Sequence, residues 1–541
     1  MKFQIDFGNE NFFIDEGKFI LVLGKTGSGK TTFLNEIEKQ LNQKGQTTGF
    51  VFQDFDAQIV TDKVWHEIAF AMENKGFDRR LMERRVAEMS SYFGINDLLE
   101  KNTDCLSGGQ KQLLNLASTM AVKPKFLLLD EPLSQLDPIA AGNFLNTVKK
   151  INREFGTTVI MSEHRLEEVF ADCGEIVFLD GMKILFSGDV KKVCKEILSY
   201  SKKSCEEGKG EKSILGKKIQ SDFLEFLPYS ALLCSRLDLQ ENDMKNIPVS
   251  IAEGKDFIRQ HKEKFSSFYE ADFEDFKIIE EFEKKDKNSD KKNADRKSDL
   301  ICVKDLSFRY EKKSPWILQE LSFNVKEKSI FAIVGANGSG KSTLLKLLCK
   351  ILTSYRGKIK ISDCVQDKIC LLPQNVRNLF IKRTVLQELE DCGFVAHLTL
   401  DASKTETNNL EEVQNQEVQK LISSFKEKFS CHPYDISGGE KQKLALAKLL
   451  LKKPKILLLD EPTKALDNPF KNELGTLLKK LTNAGMTVVM VCHDLEFCAS
   501  VADTVGLMFC GKIVGTCDSK DFFRANNFYT TAHYRLLQGI F

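Results

Sequence analysis

No two of the fifteen cysteines in this chain stand in C-x-x-C spacing, and none form a cluster of the kind that ligates zinc or an iron–sulfur centre. They are scattered singly, so reduced thiols packed as small hydrophobes are expected rather than a disulfide scaffold. Excess charge is missing too: 78 Lys plus Arg against 77 Asp plus Glu leave a net charge of +1. No global field draws the chain toward nucleic acid or anionic lipid, and no nucleic-acid partner is expected. Long apolar runs are absent, none approaching the roughly 18 residues of a membrane span. The amino terminus, "MKFQIDFGNENFFIDEG", carries acids where a signal peptide needs a cationic and then an apolar stretch. Any attachment to a membrane is therefore expected to run through partners.

What is present is an internal repeat. "GKTGSGKTT" (Gly24–Thr32) returns as "GANGSGKST" (Gly335–Thr343), "FLLLDEP" as "ILLLDEP", and "CLSGGQKQ" as "DISGGEKQK". Lys30 and Lys341 lie 311 positions apart and Glu131 and Glu461 lie 330 apart, so the order is kept with small insertions. At 541 residues the chain exceeds the usual ~100–200 per domain, and it reads as a tandem duplication. We expect a first domain at 1–215, an extension and charged linker at 216–299, and a second domain at 300–541. The run Glu280–Asp299 is almost wholly charged and reads as a solvated linker. Asp401–Gln419 reads as an exposed, partly helical insertion.

Each copy sets an apolar strand before its glycine loop and an apolar-periodic helix after it, the context of a P-loop. By chance this motif would occur in about one chain of this size in fifty, and two in register leave chance negligible. Gly24, Lys25, Thr26, Gly27, Ser28, Gly29, Lys30, Thr31 and Thr32 are the candidates in the first copy. In the second they are Gly335, Ala336, Asn337, Gly338, Ser339, Gly340, Lys341, Ser342 and Thr343. The glycines let backbone N–H groups converge on phosphate oxygens, the lysines reach the β- and γ-phosphates of ATP, and Thr31 or Ser342 offers a hydroxyl to Mg²⁺. Four apolar residues before Asp130–Glu131 and Asp460–Glu461 fit buried parallel strands that deliver carboxylates at their C-terminal ends. The aspartates are placed to hold Mg²⁺ and the glutamates to activate the attacking water. Ser107, Gly108 and Gly109, with Ser437, Gly438 and Gly439, begin helices and so form a second anion site in each copy. A P-loop already surrounds the phosphates from one side, so this second site is expected to face outward.

These motifs together resemble the ATP-binding-cassette ATPases over most of both copies. The resemblance implies an α/β fold in which each domain has a mainly parallel sheet, an antiparallel β subdomain and a helical subdomain. It also implies that the two domains close head to tail within one chain. Ser107 and Gly109 would then cap ATP held by Lys341, and Ser437 and Gly439 would cap ATP held by Lys30. Gln53 and Gln374 match the family's Q-loop glutamines, which sense Mg²⁺ and the coupled partner. His164 and His493 match its switch histidine, and Asp137 and Asp467 match its D-loop. Tyr310 matches the aromatic that stacks on adenine, whereas the first copy has no tyrosine at the equivalent distance; Phe3 or Phe7 is the candidate substitute.

A finer resemblance is to the ATPase subunits of energy-coupling-factor transporters. It is carried by "QIVTDKVWHEIAFAMEN", "SYFGI", "SQLDPIAA", "EHRLEEV", "LPQNVRNLFIKRTVLQEL", "FLPYSALLC" with "NIPVSIAEG", and "NFYTTAHYRLL". It implies a peripheral ATPase on the cytoplasmic face of the cell membrane, powering vitamin or metal import through a transmembrane coupling subunit and a substrate-binding membrane subunit. Val64, Trp65, Ile68, Ala69 and Met72 recur at helical spacing. Most of that stripe is expected in the core, with its edge lining a groove for a helix of the coupling subunit. Soluble tandem cassettes that act on ribosomes are the alternative class. Their linker is usually a long helical hairpin, which Pro228, Pro248 and the Asn-Lys-Asp run would interrupt here.

Overall fold

The structure is a computed structural model that describes residues 2–8, 10–163, 166–207, 223–236, 247–262, 299–362, 365–366, 368–394, 410–464, 466–526 and 528–538. Nearly all of the charged linker, and His164, lie outside these residues.

Alternation of apolar strands with amphipathic helices builds two open sheets of one topology. In the first copy, β1 (Lys2–Phe7) and β2 (Glu10–Asp15) form an antiparallel hairpin. Six strands follow: β3 (Phe19–Gly24), β4 (Thr48–Val51), β5 (Phe126–Asp130), β6 (Thr158–Ser162), β7 (Glu175–Asp180) and β8 (Lys183–Asp189). They pair in the order β4-β5-β6-β3-β7-β8, parallel except for β8. The second copy begins with β9 (Asp299–Phe308) and β10 (Leu318–Lys326). Its sheet strands are β11 (Ile330–Val334), β13 (Ile369–Leu372), β14 (Ile456–Asp460), β15 (Thr487–Val491), β16 (Thr504–Phe509) and β17 (Lys512–Asp518). With β12 (Arg356–Ile361) joining β9 and β10 in an antiparallel sheet, these six take the order β13-β14-β15-β11-β16-β17. β3, β5 and β6, like β11, β14 and β15, are buried along their whole length, as strands covered by helices on both faces must be.

Two expectations need correction. Phe7 is buried against Phe33 and the Phe3 ring packs edge-on at 5.1 Å from Phe126, so the hairpin turns both rings into the core and offers neither to a nucleotide base. Of the expected exposed insertion, residues 401–409 lie outside the described residues, and the remainder is partly buried. Leu410–Ser423 is a helix that buries Gln414, Val418 and Ile422, and Gln414 Nε2 donates to Pro454 O at 2.7 Å. The helical stripe behaves as expected: Val64, Ile68, Ala69 and Met72 are buried, and Trp65, at its edge, stands 41% exposed beside His66.

The segment after the first sheet forms helices at Tyr229–Arg236 and Ile251–Gln260. These pack against the last helix of the chain, Ala532–Leu537, whose Leu536 and Leu537 join the first copy's core. Glu167 of the first copy accepts the Tyr229 N–H, and Tyr229 Oη lies 2.7 Å from His533 Nδ1. Burial, with the charge of Glu496, pushes the Glu167 carboxyl up to about 7 against the pull of Tyr229 N–H and Arg535. A carboxyl whose folded value lies above its unfolded one binds its proton more tightly when folded, so stability falls as pH rises through roughly 4 to 7. Glu167→Gln is therefore expected to raise the Tm by about 2–4 °C at pH 8 and to leave it near the parent's at pH 5, read by thermal melts. An equal shift at both pH values would reject the assignment.

Candidate functional site

The glycine loops end β3 and β11 and open helices at Lys30–Gln43 and Lys341–Leu348. Gly27 and Gly29, and Gly338 and Gly340, all adopt positive φ, between 78° and 102°, which only glycine takes without strain. Each lysine folds back over its own loop: Lys30 Nζ donates to Gly24 O at 2.9 Å, and Lys341 Nζ to Gly335 O and Ala336 O at 2.8 Å. The hydroxyls of Thr26, Ser28 and Ser339 are buried with no hydrogen-bond partner. A loop that parks an ammonium on carbonyls and leaves buried hydroxyls unmatched is fitted for an anion of several oxygens.

The acidic ends of β5 and β14 stand beside these loops. Thr31 Oγ1 donates to Asp130 Oδ2 at 2.6 Å, and Ser342 Oγ to Asp460 Oδ1 at 3.0 Å. Burial raises both aspartates, Asp460 to about 6. Hydroxyl, carboxylate and the nearby amides of Gln53 and Gln374 make a hard oxygen donor set of the kind Mg²⁺ takes beside phosphates. Glu131 and Glu461 both have positive φ, 44° and 53°, a strained conformation repeated at the same place in each copy. Gln53 Nε2 donates to Glu131 Oε2 at 2.7 Å. In the second copy His493 Nε2 lies 3.2 Å from Glu461 Oε1. Burial pushes the Glu461 carboxyl up, but His493, Lys464 and Gln374 outweigh it and hold it at about 2.

Ser107 and Ser437 sit at helix N-caps, each in a capping box with Gln110 or Glu440. Gly439 lies against Thr26 of the first P-loop: a Cβ there would stand 4.0 Å from Thr26 Cγ2. A cavity of about 770 Å³ opens over the second P-loop, where Lys341, Ser342 and Glu461 meet Gly108 and Lys111 of the first copy. Gly438 lines this cavity too. Asp467 Oδ2 accepts Thr26 N at 2.8 Å and Asp137 Oδ2 accepts Asn337 N at 3.0 Å, so each D-loop aspartate grips the other copy's P-loop. Tyr310 is 53% exposed with its hydroxyl 3.3 Å from Thr343 Oγ1.

Three residues escaped sequence reasoning. Met182, at φ 66° in the β7–β8 turn, hangs over Gly29, where a Cβ would lie 2.3 Å from its sulfur. In the second copy, Ile317 and Leu318 cover Gly340 instead. Gln135 and Lys464 meet across the two copies at 2.9 Å. Their only sequence signal is that "SQLD" and "KALD" differ where their aspartates agree.

Two P-loop units, each gripped by a loop of the other, define a nucleotide triphosphatase with paired sites. The chain belongs to the ABC transporter family, whose description matches residues 7–134 and 318–464. It is accordingly an ATP-binding ATPase. A protein of Bacillus thuringiensis subsp. konkukian named "Putative ABC transporter ATP-binding protein" is 34% identical, covering 97% of this chain and 91% of that one. A protein of the same name from Clostridium tetani is 30% identical over 86% and 93%. Among solved structures, "Model of ribosome-bound archaeal Pelota and ABCE1" aligns with TM-score 0.59 at 17% identity, over 94% of this chain and 76% of that one. "RNase-L Inhibitor" aligns with TM-score 0.56 at 19% identity over 94% and 88%. At these identities the two structures share the fold and carry nothing about partners.

Proposed function

We propose that this chain is the ATPase subunit of an energy-coupling-factor type importer of a vitamin or metal ion. It would work from the cytoplasmic face with a separate transmembrane coupling subunit and a substrate-binding membrane subunit. Among the described residues no helix is long and apolar enough to cross a membrane, so the path for the solute would lie in other chains. The observation that carries the reading is a repeated device beside each Q-loop. Val60 (64% exposed) and Ile381 (83% exposed) present apolar side chains to solvent, and in both cases the backbone N–H is held by a buried glutamate, Glu67 or Glu388. An exposed apolar residue pinned from below is built for contact, and Phe52 and Trp65, near it in the chain, are exposed too. Relatives named for ABC transport agree with it.

In this reading Lys30 and Lys341 hold the β- and γ-phosphates, and Thr31, Asp130 and Gln53, with Ser342, Asp460 and Gln374, serve Mg²⁺. Glu131 and Glu461 take the proton of the attacking water, and His493, with His164 as its counterpart in the sequence, would serve the γ-phosphate. The outward signature helices complete each other's sites, so ATP closes the halves and hydrolysis releases them. Tagging the chain in its host and comparing what copurifies from detergent-solubilised membranes and from ribosomes tests the partner. Small multispan proteins are expected; ribosomal subunits without any membrane protein would replace the import reading by a translation role.

The first site is expected to discriminate ATP from GTP by about 3–10-fold less than the second, the worth of one aromatic stack, because the first copy has no tyrosine at the distance from its P-loop where the second has Tyr310. Binding ratios measured on Lys341→Met and Lys30→Met chains, each with one loaded site, would refute this by coming out equal.

A further inference from the structure

We propose that Lys464, Gln135 and Gln53 form a one-way relay that reports the state of the second ATP site to Glu131 in the first. Lys464 and Gln135 act in it as positioning residues. The proposal rests on the reading of Glu131 and Glu461 as the two hydrolytic bases.

Three hydrogen bonds make the path. Lys464 Nζ donates to Gln135 Oε1 at 2.9 Å, Gln135 Nε2 donates to Gln53 O at 3.0 Å, and Gln53 Nε2 donates to Glu131 Oε2 at 2.7 Å. The path begins on the loop after Glu461, crosses between copies 329 residues apart, and ends on the carboxylate of the other site. At its start Lys464 lines the 770 Å³ cavity together with Lys341 and Glu461.

The sidedness comes from what the duplication changed. The D-loop aspartates bond to the opposite P-loops in both directions. The relay has no mirror image, because Ser134 stands where Lys464 does and Ala465 stands where Gln135 does. Ser134 Oγ is buried with no hydrogen-bond partner, and alanine has no group to bond with. Only the second site can therefore speak to the first by this route.

Charge explains how it would switch. In the structure the Lys464 ammonium makes its hydrogen bond to a neutral amide, within the fields of Glu461, Asp54, Asp56 and Asp460. A triphosphate in the same cavity offers a far stronger partner for an ammonium. When Lys464 turns to it, Gln135 loses its donor, its grip on the Gln53 carbonyl loosens, and the Gln53 amide that now holds Glu131 is free to move. ATP at the second site thus releases the base of the first.

The test uses the full chain carrying Lys341→Met, so that the second site holds no ATP, Lys464 stays on Gln135, and the turnover comes from the first. Lys464→Met, Gln135→Leu and their combination are added, with single-turnover rates, KM for ATP and melting temperatures measured. Each single change copies the released state and is expected to raise first-site kcat by about 3–10-fold with KM held within about twofold, and the pair to do no more than either alone. Gln135→Glu keeps an acceptor for Lys464 but cannot donate to Gln53 O, so it is expected to behave as Gln135→Leu; Lys464→Arg is expected to behave as the parent. Effects that multiply, or a Gln135→Glu chain that behaves as the parent, would overturn the relay and leave the two bases standing. Undiminished hydrolysis in Glu131→Gln/Glu461→Gln would overturn the relay and the underlying reading together.

Discussion

Replacing Glu131 and Glu461 together by glutamine is expected to slow ATP hydrolysis by about 10²–10⁴-fold while ATP still binds and closes the halves. The expectation follows from geometry that the two copies share. In each, a strand buried on both faces ends in Asp-Glu, and the glutamate sits at positive φ with its N–H bonded to the neighbouring strand, Glu131 to Ser162 O and Glu461 to Val491 O. Strain of this kind persists only where the surroundings enforce it, and here they enforce it twice. The substitution keeps the size and one acceptor oxygen, and removes the negative charge and with it the ability to take a proton. At about 2, Glu461 is too weak a base for water as it stands, because His493, Lys464 and Gln374 all stabilise its charge. Those are groups that a γ-phosphate would recruit, so nucleotide binding would itself strip the carboxylate of its partners and raise its basicity. Phosphate release in steady state, set beside binding of a fluorescent ATP analogue, separates the effects. Turnover unchanged in the double variant would reject both assignments, and lost binding would reassign the glutamates to holding Mg²⁺.

The sequence made the sheets legible because their strands are covered on both faces, so each motif follows a continuous apolar run. The duplicated glycine loops placed the second repeat without any reference to structure. Legibility failed wherever a contact depended on partners far apart in the chain. Leu410–Ser423 turns Leu410, Val413, Val418, Leu421 and Ile422 onto the second copy's core, a helical spacing diluted by the acids and amides between them and by buried Gln414. Phe3 and Phe7 were misread because strand alternation fixes which ring points inward, and the facing surface, Phe33 and Phe126, comes from other elements. The clamp made by Tyr229–Arg236, Ile251–Gln260 and the terminal helix joins segments nearly 300 residues apart, and no local propensity announces it. The Lys464–Gln135 pair has no local signal, because it exists only where loops 329 residues apart are brought face to face.

Lys448→Met is expected to destabilise the second copy by about 3–5 kcal/mol, the usual result of leaving one member of a buried ion pair behind. Glu388 is fully buried, and its carboxylate accepts the N–H groups of Ile381 and Lys382 while pairing with the Lys448 ammonium, which also donates to Leu379 O at 2.7 Å. The first copy answers the same need without a lysine. Glu67 accepts the N–H groups of Val60 and Thr61 at 3.1 and 2.8 Å, and Ser118, at the place of Lys448, donates to the Glu67 carbonyl. Backbone donors alone therefore suffice to keep a glutamate at this position, and the lysine is a second-copy addition that the buried charge has come to depend on. Glu388→Gln combined with Lys448→Met removes the charge together with its partner, and is expected to recover most of the loss. Thermal melts that follow the second copy's transition would show it. A combined variant as unstable as Lys448→Met alone would mean that packing, not charge, holds the turn that presents Ile381.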